Sequence, residues 1–166
     1  MKRVLFFTTF AVIALAVFTA CAARKTAAEQ EAFAAEIRNA LEIQEFRFEA
    51  TRAVPTNMRP VNLTPSFDVR VSPDSVRVHL PFFGRAFRAP MHPTEGPYNF
   101  TSTNFDYEVR PGHRAGNWLV RIAFRDLYRE VIFNFDIWEN GAASLNIIDM
   151  DRQSILFHGN IEVSSE

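Results

Sequence analysis

The pattern of hydrophobic and polar positions changes period once along this chain. From Ala27 to about Leu41, Phe33, Ile37, Ala40 and Leu41 recur at the i, i+4, i+7 and i+8 spacing of one helical face. The residues between them are strong helix formers: Ala, Glu, Gln and Arg. Thr26, with Glu29 three residues on, has capping-box spacing and places the helix start. A helix of roughly fifteen residues is marginal alone, so the apolar stripe is expected to dock on a sheet rather than fray as a tether.

Past Ile43 the period falls to two. Phe46, Phe48 and Ala50 oppose Glu45, Arg47 and Glu49; Phe67, Val69 and Val71 oppose Asp68 and Arg70; Val76, Val78 and Leu80 oppose Arg77 and His79. Ser72-Pro73-Asp74-Ser75 joins the last two runs as a hairpin. Val54 to Pro65, with Pro55, Pro60 and Pro65, reads as an irregular crossing, and Pro81 to Pro97 shows no period. Tyr98 to Arg110 reads as one strand, closed by a loop from Pro111 to Gly116. Trp118, Val120, Ile122 and Phe124 then face one way, and Val131, Phe133, Phe135 and Ile137 repeat the pattern. Asn140-Gly141 is the strongest short hairpin signal, since both residues tolerate the positive φ of a type I′ turn. Leu145 and Ile147 begin the return, Asp149-Met150-Asp151 turns the chain, and Ile155 to Val163 closes the sheet.

Charge on the second face of most strands implies one face in the core and one toward water. The expected fold is therefore mainly β (α+β): a curled antiparallel sheet or half-barrel of about seven strands with one N-terminal helix. A β-sandwich is the alternative.

Composition sharpens this in three ways. The 166 residues make one domain, and the 17 Phe, against three Tyr and two Trp, supply a large apolar core. Net charge is −1, and −3 without Lys2 and Arg3, which disfavours nucleic acid as a partner because phosphate binding calls for basic excess. Cys21 is the single cysteine, so no disulfide can form within the chain.

That cysteine also marks an address. Met1-Lys2-Arg3 is a basic start, and Val4 to Val17 is apolar apart from Thr8 and Thr9. Phe18-Thr19-Ala20 then stands directly before Cys21. This is the order of a secretory signal peptide. A transmembrane anchor is the main competitor, since Val4–Ala20, at 17 residues, stands at the lower edge of the roughly 17–25 that span a bilayer. The cysteine directly at its end decides for the signal. The segment resembles a lipobox, with Phe18 where Leu is more usual. That resemblance implies a thioether-linked diacylglyceryl group on Cys21 and an acylated amine. Ala22, rather than the Asp of inner-membrane retention, favours the outer membrane. Arg24-Lys25, in place of an acidic cluster, favour its periplasmic leaflet over the cell surface. The expected layout is a signal peptide at 1–20, a lipidated N-terminus and helix at 21–43, and an antiparallel β domain at 44–166.

Two stretches carry a family resemblance: SVRVHLPFFGRAFRAP at Ser75–Pro90 and FDIWENGAASLNIIDMDRQSILFHG at Phe135–Gly159. With their LPFFGRAF, ENG and DRQSI segments they resemble the domain-of-unknown-function family numbered 4251, small envelope lipoproteins of Gram-negative anaerobes. The resemblance covers roughly Glu45 to Glu162. It implies location and fold and brings no activity with it.

Candidate chemistry concentrates in Leu80–Pro90. Phe82, Phe83 and Phe87 lie beside Arg85 and Arg88, with Gly84 allowing a bend. Rings stack on sugars and guanidinium forks bind anions, so the segment is a candidate ligand or partner loop. The competing reading is that the rings plug one end of the curled sheet while the arginines stay solvated. His79, His92, His113 and His158 are too scattered for a local metal motif, and no cofactor is implied. Asp149 and Asp151 could pair as acids or form a weak cation site, but a turn rich in Asp is more simply a turn. No nucleophile elbow and no thiol beyond Cys21 support catalysis, so the chain is expected not to be an enzyme. Asp74-Ser75-Val76, on a hairpin turn, resembles the short O-glycosylation acceptor of the same bacterial group, making Ser75 a candidate modification site. The expected role is a non-catalytic envelope lipoprotein, anchored to the membrane through its lipid, that binds a protein partner or glycan. A carrier of a small apolar ligand inside the sheet is the alternative.

Overall fold

In a computed structural model of the protein, residues 26–87 and 96–163 are described. The expected signal segment 1–20, Cys21, Arg24-Lys25, Arg88 and His92 lie outside the described residues. The chain divides into two compact units after Glu31. In the first, the capping box forms as its spacing suggests. The Thr26 N–H donates to Glu29 Oε2 at 2.7 Å and the Glu29 N–H to Thr26 Oγ1 at 3.2 Å. The helix this opens, α1, runs Ala27–Glu42. It stops where Gln44 takes a left-handed φ of 60° and the Glu45 N–H reaches back to the Ala40 carbonyl at 2.8 Å, the 6→1 bond of a Schellman cap.

The second unit holds ten strands: β1 Phe46–Pro55, β2 Val61–Asn62, β3 Asp68–Val71, β4 Val76–Leu80 and β5 Tyr98–Ser102, then β6 Phe105–Pro111, β7 Asn117–Phe124, β8 Val131–Trp138, β9 Ala142–Asp149 and β10 Arg152–Glu162. They form one antiparallel sheet in the order β5-β4-β3-β1-β10-β9-β8-β7-β6, with β2 added to β1. A single curled sheet replaces the sandwich alternative. Two of the strands beyond the expected number have a physical reason. The proline-rich crossing still lends Val61 and Asn62 to β1, opposite Ala53 and Arg52. And the run from Tyr98 to Arg110 is two strands, because the chain bends at Thr103-Asn104.

That bend links the two edges of the sheet. β5 pairs with β4 and β6 pairs with β7, so the two ends of the hydrogen-bonded path are consecutive in the chain. The corner is fixed by Asp126. The Ser102 hydroxyl donates to one carboxylate oxygen at 2.6 Å and the Thr103 N–H to the other at 3.0 Å, while the Arg125 N–H bonds the Asn104 carbonyl at 2.8 Å. The Ser102 bond, above all, holds the Asp126 carboxyl below its ordinary range. The sheet of this unit is thus nearly closed and barrel-like.

Alternation delivers the core. In β8, Val131, Phe133, Phe135 and Ile137 are buried while Ile132, Asn134, Asp136 and Trp138 stay partly exposed. β1 keeps its inward face through a bulge at Thr51: Phe46, Phe48 and Ala50 precede it, and Ala53 and Pro55 follow. Opposite the bulge, Gly159 is required, since a Cβ there would lie 2.0 Å from the Glu49 carbonyl oxygen. Phe133 sits at the centre of the rings. Its centroid lies 4.9 Å from Phe124, 6.4 Å from Phe100 and Phe135, and 6.5 Å from Tyr98, all edge to face.

Within the second unit the apolar stripe of α1 is docked. Ile37, Ala40 and Leu41 are buried, and the Tyr107 hydroxyl of β6 donates to the Leu41 carbonyl at 2.8 Å. On the outer face, Arg47 bonds Asp68 and Glu162 at 2.7 Å each, and Arg70 bonds Asp68 at 3.0 Å. Burial alone would raise the Asp68 carboxyl, but the two guanidinium groups outweigh it and hold the group below its usual range.

The Asn140-Gly141 hairpin forms, with a different turn from the one expected. Gly141 has φ 82°, whereas Asn140 does not take positive φ, and the Gly141 N–H bonds the Trp138 carbonyl at 2.8 Å. This is a three-residue loop, a type I turn followed by a left-handed glycine. The Asn140 side chain instead accepts from the Ala142 N–H at 3.0 Å, which removes any need for the type I′ geometry.

Candidate functional site

The segment singled out in the sequence is stitched onto the start of β10. The Phe87 N–H donates to the Asp151 carbonyl at 2.8 Å and the Gln153 N–H to the Arg85 carbonyl at 3.0 Å. The Arg85 N–H reaches Gln153 Oε1 at 3.4 Å, and Ala86 forms an isolated bridge with Arg152. The two stretches that carry the family resemblance therefore meet: LPFFGRAF lies along DRQSI.

The segment divides between the two readings made of it. Phe82 and Phe83 are half-buried against the core, as plugs are. Arg85 is exposed, and Phe87 is 70% exposed. Arg88 lies outside the described residues.

Beneath the segment lies a polar cluster that the sequence did not announce. The Asp149 side chain is fully buried and accepts from Arg129 Nε at 2.9 Å, with Arg152 Nε 3.9 Å away. Arg152 is itself buried. Its guanidinium lies over the Phe82 ring at 4.9 Å and the Tyr98 ring at 5.2 Å, and its Nη1 donates to the Gly96 carbonyl at 2.9 Å. Phe82 meets Tyr98 edge to face at 5.8 Å. The Tyr98 hydroxyl, buried, has no hydrogen-bond partner among the described residues. Burial, with the nearby Asp149 charge adding to it, pushes that phenol well above its ordinary range. Asp149 is thus a core anion rather than a solvated turn residue, although it also serves the turn by accepting from the Asp151 N–H at 3.0 Å. Nothing local in the sequence distinguishes it, because its main partner, Arg129, comes from the loop between β7 and β8.

The same end carries exposed apolar side chains. Tyr128 and Phe87 are each 70% exposed, Met150 68% and Ile148 45%. Backbone bonds gather their parent segments: Phe87 to Asp151, and the Met150 N–H to the Glu130 carbonyl at 3.3 Å. Ile148 stands opposite Ile132 across the β8–β9 ladder.

Other sequence candidates are placed as follows. Ser75 sits half-buried in the β3–β4 turn, its hydroxyl 3.1 Å from Asp74 Oδ1 as donor. His79 stacks on Phe67 at 5.4 Å, and His158 is exposed. Among the described residues no group of three His, Cys, Asp or Glu could hold a metal ion, and no helix is long and apolar enough to cross a membrane. A crevice of about 160 Å³ lies between the end of α1 and the β6–β7 hairpin, lined by Arg38, Leu41, Val109, Pro111 and Trp118, with Arg38 over the Trp118 ring at 5.8 Å.

Comparison with known proteins agrees with the resemblance and extends it. The family model described as "Domain of unknown function (DUF4251)" matches residues 28–161. None of the curated proteins matches. The crystal structure of a DUF4251 family protein from Bacteroides eggerthii superposes with a TM-score of 0.57 at 17% identity, covering 81% of this chain and 91% of that one. At that identity the likeness speaks for the fold.

Proposed function

The chain belongs to the DUF4251 family, and we propose that it serves there as a non-catalytic, lipid-anchored envelope protein that docks a protein partner. The docking surface is the barrel end bearing Phe87, Tyr128, Ile148 and Met150. One observation carries the reading: four large apolar side chains are exposed on segments gathered at one end. Exposed large apolar residues scattered singly need no explanation, whereas several together mark an interaction surface. Aromatic and Met side chains are also those enriched at protein interfaces, which favours a protein over a glycan. The rings around Phe133 occupy the concave side of the sheet, and this favours an outward-facing partner over an apolar ligand carried inside.

A photo-reactive amino acid at Tyr128 in the native bacterium is expected to give one discrete cross-linked protein, lost when Met150→Asp and Phe87→Asp are added. An absent adduct, or one indifferent to those changes, would remove this end from consideration. The anchor rests on Cys21 following the apolar run, and the outer membrane facing the periplasm is its proposed destination. Cys21→Ala is expected to abolish palmitate labelling and release the protein from the membrane fraction; persistent labelling would overturn the lipid anchor.

A further inference from the structure

Pro81–Phe87 is held differently from the strands it covers. β8 and β9 register continuously from Val131↔Asp149 to Ile137↔Ala143. The segment, by contrast, has the Ala86–Arg152 bridge and the bonds to Asp151 and Gln153 described above. Beneath it lie buried polar groups. Asp149 and Arg152 are buried charges, and the Tyr98 hydroxyl is buried without a partner among the described residues. Opening lets solvent complete that hydroxyl, so the closed form bears a cost that the open form does not. One side chain spans the junction: Arg152 lies over Phe82 of the segment and over Tyr98 of β5, and ties to the Gly96 carbonyl.

We propose that Pro81–Phe87 is a strap that lifts from the barrel end as a unit, far more readily than the barrel unfolds. Arg152 is its latch, and lifting admits solvent and small polar solutes to the Tyr98 hydroxyl and the Asp149–Arg129 pair. This is independent of the partner reading, which concerns the exposed side chains and not what lies beneath them. Locally opening elements are drawn from segments with few ladder bonds, and among the described residues this segment has one isolated bridge.

Native-state hydrogen exchange on the intact protein tests it. The Phe87 and Gln153 amides should exchange roughly a hundredfold faster than those of β8. Tyr98→Phe removes the unpartnered hydroxyl and should slow exchange at Phe87 and Gln153 by about tenfold. Arg152→Lys, which keeps the charge but loses the planar fork, should speed both, and speed β8 less. Equal protection of Phe87, Gln153 and β8 would overturn the strap. Slowing confined to β8 in Tyr98→Phe would show that lifting does not uncover the hydroxyl. An unchanged Phe87 rate in Arg152→Lys would remove the latch. Tyr98→Phe is near-isosteric and expected to fold, so the proposal stays testable whatever Arg152→Lys does.

Discussion

Asp149→Asn is expected to cost about 3–5 kcal/mol of unfolding free energy, because it leaves guanidinium charge buried without its counterion. The carboxylate is fully buried, and the Arg129 and Arg152 side chains beside it are only 12% and 6% exposed. Asparagine keeps the shape and one acceptor oxygen, but it cannot serve both Arg129 and the Asp151 N–H, nor neutralise a cation. Urea denaturation would read the loss directly, and a melting experiment should show a drop of roughly 10 °C for a domain of this size. Adding Arg129→Met to the same chain should recover part of the loss, since an apolar side chain tolerates burial where an unpaired guanidinium does not. A loss under about 1 kcal/mol would mean that the carboxylate is not what compensates these charges.

Phe133→Ala is the second large effect, expected at about 3–5 kcal/mol. Four aromatic rings meet Phe133 edge to face, so truncation removes both its own burial and one side of each of those contacts. The rings are contributed by β5, β7 and β8, which a nearly closed sheet does not let collapse together, so most of the cavity should persist. Phe87→Ala is the matched control. That ring is 70% exposed, and its removal should change stability by no more than about 0.5 kcal/mol. Equal effects at the two positions would contradict the packing described.

The contrast between Phe133 and Phe87 also shows how far the sequence could be read. Periodicity decides which side of a strand a residue faces, so Phe46, Phe48, Val69, Val78 and the inward set of β8 were all legible, as was the helix with its capping box. Periodicity has less to say where no strand exists. Within Leu80–Pro90 the rings of Phe82, Phe83 and Phe87 are chemically alike, and only the stitching to Asp151 and Gln153 makes two of them plugs and the third an exposed tip. Tertiary partners explain the other departures. Asp126, far from the corner in sequence, holds the bend that splits Tyr98–Arg110, and Arg129 turns Asp149 from a turn residue into a core anion. The glycine of Asn140-Gly141 was enough for a hairpin, but the turn type depended on what the asparagine side chain bonds. The two family-like stretches were recognisable one at a time; that they run alongside each other was not.

The corner at Thr103-Asn104 bears on how the chain finds this arrangement. Edges that lie eight ladders apart around the sheet are two residues apart along the chain, so sealing the seam requires almost no additional loop closure. The ladders from β6 to β10 join sequence neighbours and can form as a meander with local contacts, whereas β1 must wait for β10, more than a hundred residues downstream. The slow event is therefore the arrival of the first strand, and the link at Asn104 delivers the far edge of the β1–β5 half to the meander at the same moment. Cutting the chain at that link and joining its ends would leave every ladder intact and place β1 after β10 in sequence. Every ladder along the path would then join sequence neighbours, and the native sheet should form faster.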